Sequence, residues 1–233
     1  MGYRTRATFM VAALSLVGPA AASVLAIPAL AAPSTARVAD RVPDPRAGGM
    51  AAALARNGQV IEYQKIPDFA ARALEQKTAI VELVQRYVFM ENCVVVGRGL
   101  AYANAYEFAL KLMETCYVVA ERFSAADFLH GPVAMIERHF PVILFAPPGA
   151  MLQDTKDLLS RLQELSADTL AITADLDAAA MCSRAIIMPR EIDEFLAPFP
   201  YIIPAQLFAA LLAEAKGLNP DRPRSLSKVT RTL

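Results

Sequence analysis

Three charged residues, Glu107, Lys111 and Glu114, recur at spacings of four and three in "YANAYEFALKLMET" (102–115). On a helix, these spacings align the three side chains along one stripe. The neighbouring positions are apolar nearly all round, so the stripe is costly unless it lines a cleft. In a cleft, a carboxylate beside a lysine is a usable acid–base pair. On an open surface, the same stripe is an ordinary solvated face.

A histidine directly before Gly-Pro is the second candidate for proton transfer. It is His130, in "SAADFLHGP" (124–132). Ser124 is predicted to N-cap a short turn of helix, which Pro132 prevents from continuing. His130 would then end that turn, where the helix dipole stabilises a cation. The residue is therefore either a proton carrier at the edge of a pocket or a helix cap.

The elements that position these residues follow from hydrophobic periodicity. Helical patterns over 102–115 and 151–167 alternate with short β-rich runs, and a last helix is predicted at 205–217. The runs cover residues 93–97, 117–123, 141–147, 169–173 and 185–189. Unbroken apolar strands separated by helices predict an α/β fold, a three-layer α/β/α sandwich around a mostly parallel five-stranded sheet.

A glycine turn follows the first predicted strand, at the sheet edge where ligands of such folds bind. Gly97 and Gly99 flank Arg98 and allow the backbone to turn tightly and approach an anion. We therefore predict that these three residues and Ser124 contact the substrate. The third glycine of a dinucleotide-binding motif is replaced by Tyr102, so that motif is incomplete.

Composition argues against several classes of function. Lysine plus arginine and aspartate plus glutamate both number 23 and tryptophan is absent, which argues against nucleic-acid binding. Cys93, Cys116 and Cys182 are odd in number and lack C-x-x-C spacing, so neither a disulfide framework nor a zinc site is expected. His130 and His139 have no adjacent ligand cluster. The predicted chemistry is metal-free.

The first 49 residues are predicted to be separate from the fold. A charge-free run at 9–32 follows Arg4 and Arg6, as in a secretory signal, and is long enough for a membrane anchor. Alternatively, it is a remnant or an unrelated gene start. A Pro/Gly/Ala-rich linker follows to residue 49. We then predict a helical lead-in at 50–90, with the helix at 68–90, the α/β domain at 91–217 and a tail at 218–233.

Two separated stretches carry a family resemblance. "GRGLAYANAYEFALKLMETCYVVAERFSAADFLHGPVAMI" (97–136) and the tail "AKGLNPDRPRSLSKVTRTL" (215–233) resemble the sugar isomerase (SIS) domain family. The similarity is to the second SIS domain of double-domain members, which include glucosamine-6-phosphate synthase, phosphosugar isomerases and aminosugar-phosphate deaminases. It extends over roughly residues 90–233.

The resemblance implies cofactor-free acid–base chemistry on a sugar phosphate. Glu114 would move a proton between C1 and C2 of the open-chain sugar, and Lys111 would position or polarise the substrate. His130 would assist ring opening, reaching into the site of a neighbouring subunit. Lys228 would contact the sugar oxygens from the tail. Each positioned proton-transfer group contributes about 10²–10⁴-fold to the rate.

The same resemblance implies a substrate, a partner and a location. Fructose 6-phosphate or glucosamine 6-phosphate is the expected ligand, and a homodimer or a partner SIS domain completes the site. Sugar phosphates are cytosolic, so the resemblance implies a cytoplasmic protein, with export through residues 9–32 as the alternative.

The chain departs from the family pattern at the phosphate. In the family, a Ser/Thr-rich loop in the first of two SIS domains holds that group, and no such strand–loop–helix pattern precedes Gly97 here. No cysteine nucleophile follows Met1, so glutamine-dependent synthesis by this chain alone is not expected. Two hypotheses stand: an isomerase- or deaminase-type domain, and a non-catalytic sugar-phosphate-binding or dimerisation module left after loss of a first SIS domain.

Overall fold

The computed structural model of the chain describes residues 53–56 and 59–224, with side chains from residue 64 onwards. The signal-like run at 9–32, the linker after it and Lys228 lie outside the described residues. The chain divides into two compact units between Glu62 and Tyr63.

The first unit contains a β-hairpin where we predicted helix. β1 (Ala53–Arg56) pairs antiparallel with β2 (Gln59–Glu62), and Arg56 lies opposite Gln59. The prediction of a helical lead-in was therefore wrong over 53–62. The sequence between the strands is Asn-Gly, which is typical of two-residue hairpin turns, and both flanking strands contain apolar residues.

The second unit is built on a parallel sheet, which confirms the predicted fold class. Its five strands lie in the order β4-β3-β5-β6-β7, and every neighbouring pair is parallel. The strands are β3 (Asn92–Gly97), β4 (Val119–Ser124), β5 (Pro141–Ala146), β6 (Asp168–Thr173) and β7 (Arg184–Ile187). The strand order reverses between β3 and β5, the point where open α/β sheets commonly bind ligands.

Seven α-helices in the described part of the chain cover the two faces of the sheet. They are α1 (Ile66–Leu74), α2 (Lys77–Val84), α3 (Ala101–Lys111), α4 (Ala125–Leu129), α5 (Leu152–Glu164), α6 (Leu176–Ala180) and α7 (Pro198–Ala215). Val94 and Leu144 point to the face covered by α4, α5 and α6. The helices α1, α2, α3 and α7 pack together over the opposite face. The predicted helix at 68–90 is thus two shorter helices, which both contact α7.

The last helix is longer than predicted at its amino end. It starts at Pro198, seven residues before the predicted start at 205. Proline is tolerated in a first turn, where the N–H has no intrahelical partner. Pro204 lies inside the helix and is buried, so packing overrides its low helix propensity. By length and composition α7 could cross a membrane, but about half of it is buried and it packs against α1, α2 and α3.

Three aromatic rings join the helical layer to the sheet. Phe108 of α3 makes edge-to-face contacts with Phe145 of β5 and Phe208 of α7, at centroid distances of 6.1 and 5.8 Å. All three rings are completely buried. This cluster fixes α3, and with it the charged stripe, against the sheet.

The three cysteines are free, and Cys93 and Cys116 are buried. Burial raises the pKa of Cys93 to about 12 and that of Cys182 to about 11, from an ordinary 9.0. We expect Cys93 to react with Ellman's reagent at pH 8 only as fast as the fold opens, and at once in denaturant. A native protein whose Cys93 reacts as fast as a free thiol would contradict this.

Because burial raises the pKa of Cys93, the free energy of unfolding is expected to fall as the pH rises above 9. Unfolded thiols lose their protons near pH 9.0, whereas folded Cys93 keeps its proton to a pKa of about 12. The thiol contribution to the free energy of unfolding is therefore complete below pH 9 and declines between about pH 9 and 12. Denaturant titrations at increasing pH, compared with Cys93→Ala, measure it.

Candidate functional site

Two charged residues of α3 and one in the turn that follows it form a connected group, here called the acid–amine stripe (Glu107, Lys111 and Glu114). The Lys111 Nζ lies 2.8 Å from Glu114 Oε2 and 3.8 Å from Glu107 Oε1. Gln206 of α7 donates its amide Nε2 to the same Glu107 oxygen at 3.3 Å. The three charged side chains are 27–35% exposed. The stripe is therefore neither a solvated face nor a buried network, and a ligand can approach it.

An unusual helical turn presents Glu114. After Lys111, the chain continues as a π-helical turn over Leu112–Cys116, a geometry frequently found at functional sites. Leu112 and Cys116 are buried, and the Cys116 thiol donates to the Ala209 carbonyl of α7 at 3.1 Å. These contacts hold the apolar side of the turn on the core and leave Glu114 partly exposed.

A groove lies beside the stripe. Its volume is about 640 Å³, within the range of small-molecule sites, and its walls are mostly apolar. The lining residues are Ala103, Tyr106, Glu107, Leu110, Met113 and Arg122. The Arg122 guanidinium lies over the Tyr106 ring at 4.7 Å. The groove thus reaches one end of the stripe, at Glu107, and offers one carboxylate and one guanidinium to a polar ligand.

The predicted substrate-binding residues do meet, at the carboxyl edge of the sheet. Gly97 lies opposite Ser124 in the β3–β4 register, and Arg98 donates to the Ser124 hydroxyl at 3.4 Å. Ser124 is the first residue before α4, as predicted, but its side chain makes no capping hydrogen bond. Arg98 also pairs with Asp154 at 3.2 Å. Its charge is therefore already matched by a carboxylate of the chain.

Gly97 and Gly99 permit the backbone conformation of the turn between β3 and α3. A β-carbon on Gly97 would lie 2.3 Å from the Ala101 carbonyl oxygen, so only glycine permits this approach of α3 to β3. Gly99 has a left-handed backbone with a φ of 58°. The first N–H groups of α3 donate to the carbonyls of residues 98–100 at 3.2 Å. Intrachain carbonyls therefore occupy the donors that an anion at this helix start would need.

At the point where the strand order reverses, between β3 and β5, the side chain of Glu194 also occupies the space beside the loops. The Glu194 carboxylate accepts the Ala150 N–H at 3.2 Å, in the loop that leads into α5. The cavity beside it measures only about 10 Å³, which is room for about one water molecule. A carboxylate and so little space do not suit a sugar phosphate.

His130 and Glu114 lie at opposite edges of the sheet. His130 follows β4 and ends α4, exposed at the carboxyl edge. Glu114 lies at the far end of α3, which returns to the amino edge before β4 begins. Within one chain the acid and the imidazole therefore lie apart, and the role of His130 in the site of a neighbouring subunit stays a prediction. The reason is topological, because the helix between parallel strands must run back along the sheet.

The end of the described tail lies near the stripe. Arg224 donates its backbone N–H to the Tyr117 hydroxyl at 2.7 Å, and its guanidinium carbon lies 3.7 Å from the Tyr117 ring centroid. That N–H, and then the guanidinium, lower the pKa of Tyr117. Tyr117 and Gln206 were not predicted as site residues. Tyr117 was assigned to a strand, and Gln206 carries no local signal because its partner is 99 positions away.

Within residues 64–224, no group of three histidine, cysteine, aspartate or glutamate side chains could hold a metal ion.

Comparisons with known proteins agree on one family. A profile described as "SIS domain" matches residues 90–214. The chain is 32% identical to the glutamine–fructose-6-phosphate aminotransferase (isomerizing) of Methanothermobacter thermautotrophicus, over 71% of this chain and 28% of that protein. It is 34% identical to the enzyme of the same name from Thermococcus kodakarensis, over 72% of this chain and 28% of that protein. It thus spans little more than a quarter of these relatives.

Solved structures show the same likeness. The C-terminal domain of glucosamine-fructose-6-phosphate aminotransferase from Francisella tularensis superposes with a TM-score of 0.64 at 26% identity. Tagatose-6-phosphate ketose/aldose isomerase from Escherichia coli superposes with a TM-score of 0.61 at 27% identity. Each match covers 68% of this chain and 45% of the other.

Proposed function

This chain belongs to the SIS domain family, and on that premise we propose that it binds a sugar phosphate and moves a proton between C1 and C2. One observation carries the proposal. A partly exposed carboxylate, Glu114, lies 2.8 Å from the ammonium group of Lys111, on a helical segment whose opposite side is buried against the core. The names of the relatives, aminotransferase (isomerizing) and ketose/aldose isomerase, support the reaction class.

In this reaction Glu114 is the base and then the acid. Its carboxylate takes the proton from C1 of the open-chain ketose, the electron pair of that C–H bond forms the C1–C2 double bond, and the carbonyl π pair moves to O2. The Lys111 ammonium group stabilises the resulting enediolate, whose charge is on oxygen. The O1 hydroxyl proton passes to O2, the C1 carbonyl forms, and Glu114 returns its proton to C2, which converts ketose to aldose. Atoms and charge balance without a cofactor.

Three further roles are part of the proposal. His130 assists ring opening from a neighbouring chain, because the sheet separates it from Glu114 within one chain. Lys228 contacts the sugar oxygens. Gly97, Arg98, Gly99 and Ser124 line the carboxyl edge of the sheet, where they would face a ligand bound by the partner.

The phosphate is held outside the residues described here. Arg98 is paired with Asp154, and Glu194 occupies the loop before α5. An acidic side chain therefore lies beside each of these two loops at the carboxyl edge, which supports a phosphate site elsewhere. We propose that a partner SIS domain supplies the phosphate site, whether in a second copy of this chain or in another protein.

Hydrogen exchange tests the activity directly. The chain is incubated in D₂O with glucosamine 6-phosphate, whose C2 carries a hydrogen, and deuterium at C2 is followed by NMR. With fructose 6-phosphate, whose C2 carries none, the deuterium is followed at C1. We expect exchange well above that of a sample without protein. Exchange no faster than in that blank, at ligand concentrations that saturate binding, would refute the catalytic proposal.

A second function is favoured by the occupied carboxyl edge. A domain whose own loops hold no phosphate could act as a non-catalytic binding or dimerisation module. Such a module would be stabilised thermally by the sugar phosphate, or would self-associate, without any exchange at C2. Thermal unfolding with and without ligand, measured beside the exchange experiment, separates the two functions.

A further inference from the structure

Lys111 contacts both carboxylates of the acid–amine stripe. Its ammonium nitrogen lies 2.8 Å from Glu114 Oε2 and 3.8 Å from Glu107 Oε1. The proposed reaction gives a proton to Glu114 and leaves Glu107 without a role. Glu107 precedes Lys111 by four residues, which is the order in which a glutamate and a lysine attract each other best on a helix. The ammonium group therefore has a second charged partner that the reaction has not yet used.

Gln206 of α7 holds the carboxylate of Glu107. Its amide Nε2 donates to Glu107 Oε1 at 3.3 Å, and this is the oxygen that faces Lys111. The two helices are also joined beside this contact, because Phe108 packs edge-to-face on Phe208 at a centroid distance of 5.8 Å and both rings are buried. Glu107 is thus tied to two packed helices, whereas most surface carboxylates are held by one.

The other end of the Gln206 amide gives a reason for this side chain. Its Oε1 is buried, and no donor among the described residues reaches it. A buried acceptor without a partner costs free energy, and native structures contain few such groups. An apolar side chain of similar size would avoid this cost. The presence of an amide is therefore explained by its nitrogen, which donates to Glu107.

The charge of Glu114 changes during the proposed reaction, whereas that of Glu107 does not. When Glu114 takes a proton from the sugar it becomes neutral, and its attraction for Lys111 weakens. The enediolate forms in the same step, and the ammonium group must then lie beside its oxygen. Glu107 still carries its charge at this point, in the position that Gln206 gives it. The ammonium group thus keeps one fixed carboxylate throughout the reaction.

We propose that Glu107 is a positioning residue, which holds the Lys111 ammonium group in place while Glu114 carries the proton, and that Gln206 orients Glu107. This inference rests on the proposed function. Neither Glu107 nor Gln206 exchanges a proton with the substrate in it. Their effect on the reaction passes through Lys111.

The kinetics of hydrogen exchange at C2 of glucosamine 6-phosphate test this role. Glu107→Gln keeps the shape of the side chain and removes its charge. Misplacement of a catalytic group by about 1 Å can cost about 100-fold in rate, so we expect Glu107→Gln to lower kcat by about 10- to 100-fold. KM should stay within threefold of wild type, because Glu114 still holds Lys111 before the proton moves. An unchanged kcat would overturn the role.

A double-variant cycle tests whether Glu107 acts through Lys111. Lys111→Gln should itself be slower than wild type. Adding Glu107→Gln to it should change kcat by less than twofold, because the group that Glu107 positions is already gone. If the losses of the two single variants multiply, Glu107 acts independently of Lys111 and the inference is wrong.

Gln206→Ala has a matched control on α5. Gln153 also donates its Nε2 to a carboxylate, that of Asp157 at 2.8 Å, on an exposed surface. We expect Gln206→Ala to lower kcat less than Glu107→Gln does, because the charge of Glu107 remains. Gln153→Ala should leave kcat within twofold of wild type. Equal effects of the two glutamine variants would mean that Gln206 has no special role.

The mobility of the Lys111 ammonium group tests the anchor in the protein without ligand. ¹⁵N relaxation of Lys111 Nζ gives its order parameter, which we expect Glu107→Gln to lower by about 0.2 or more. Gln206→Ala should lower it in the same direction, and Gln153→Ala should leave it unchanged. An order parameter that is the same in Glu107→Gln and wild type would show that Glu107 does not hold the ammonium group.

The two proposals fail in different ways. If the wild-type chain shows no exchange at C2, the proposed function fails, and the order parameter of Lys111 Nζ still decides whether Glu107 holds the ammonium group. If exchange is present but Glu107→Gln changes neither kcat nor the order parameter, only the positioning role fails.

Discussion

Replacing Glu114 with glutamine should lower the rate of C2 hydrogen exchange by about 10²- to 10⁴-fold, the usual loss when a positioned proton-transfer group is removed. Glutamine has nearly the shape of glutamate, and its amide oxygen can still accept the bond from Lys111, which spans 2.8 Å in the wild type. What glutamine lacks is a carboxylate that can take and return a proton. NMR detection of deuterium at C2 under saturating glucosamine 6-phosphate measures the change.

A matched variant separates this chemistry from the loss of an ion pair. Arg161 and Glu164 of α5 form a pair with the same i,i+3 spacing as Lys111 and Glu114, at 2.6 Å and more exposed. Glu164→Gln should leave the exchange rate within twofold of wild type. If Glu114→Gln retains more than a tenth of the wild-type rate while remaining folded, Glu114 is not the base.

Replacing Phe108 with alanine should lower the free energy of unfolding by about 3–5 kcal/mol, the range for a fully buried phenylalanine. The ring packs edge-to-face on Phe145 and Phe208, so the change leaves a cavity between α3, β5 and α7. That loss is a large part of the roughly 5–15 kcal/mol that stabilises a typical domain. Denaturant titration followed by circular dichroism measures it.

Two companion variants make this result interpretable. Phe108→Leu fills most of the cavity and should cost less than half as much, which keeps the test valid if the alanine variant does not fold. Leu110→Ala changes an exposed side chain on the same helix and should shift stability by about 0.5 kcal/mol or less. A loss below 1 kcal/mol for Phe108→Ala would mean that the aromatic cluster does not fix α3 to the sheet.

Local pattern predicted most of the parallel-sheet fold. The apolar run at 93–97 is β3, which begins one residue earlier, and the run at 141–147 is β5, which ends one residue earlier. These strands are buried on both faces, so their hydrophobicity is continuous and visible in the sequence. The stripe spacing of four and three also predicted the pairing of Lys111 with Glu107 and Glu114 correctly.

Prediction from local sequence patterns failed where tertiary packing or strand pairing overrides the helix propensity of a segment. The hairpin at 53–62 was predicted as helix although Asn-Gly favours a turn, and the helix predicted at 68–90 breaks after Leu74. The break lets α1 and α2 each place a buried face against α7. Such breaks depend on a partner more than a hundred residues away, which no local window contains.

By itself, the sequence determined the α/β class, most strand positions and the residue types of an acid–base group, because these depend on periodicity and spacing within a few turns. The tertiary structure decided which side chains meet. It placed Glu114 and His130 at opposite edges, set Glu194 and Asp154 beside the loops at the carboxyl edge of the sheet, and joined Tyr117 to Arg224. The physical reason is that contacts between distant segments follow from strand order and helix direction, which local spacing does not encode.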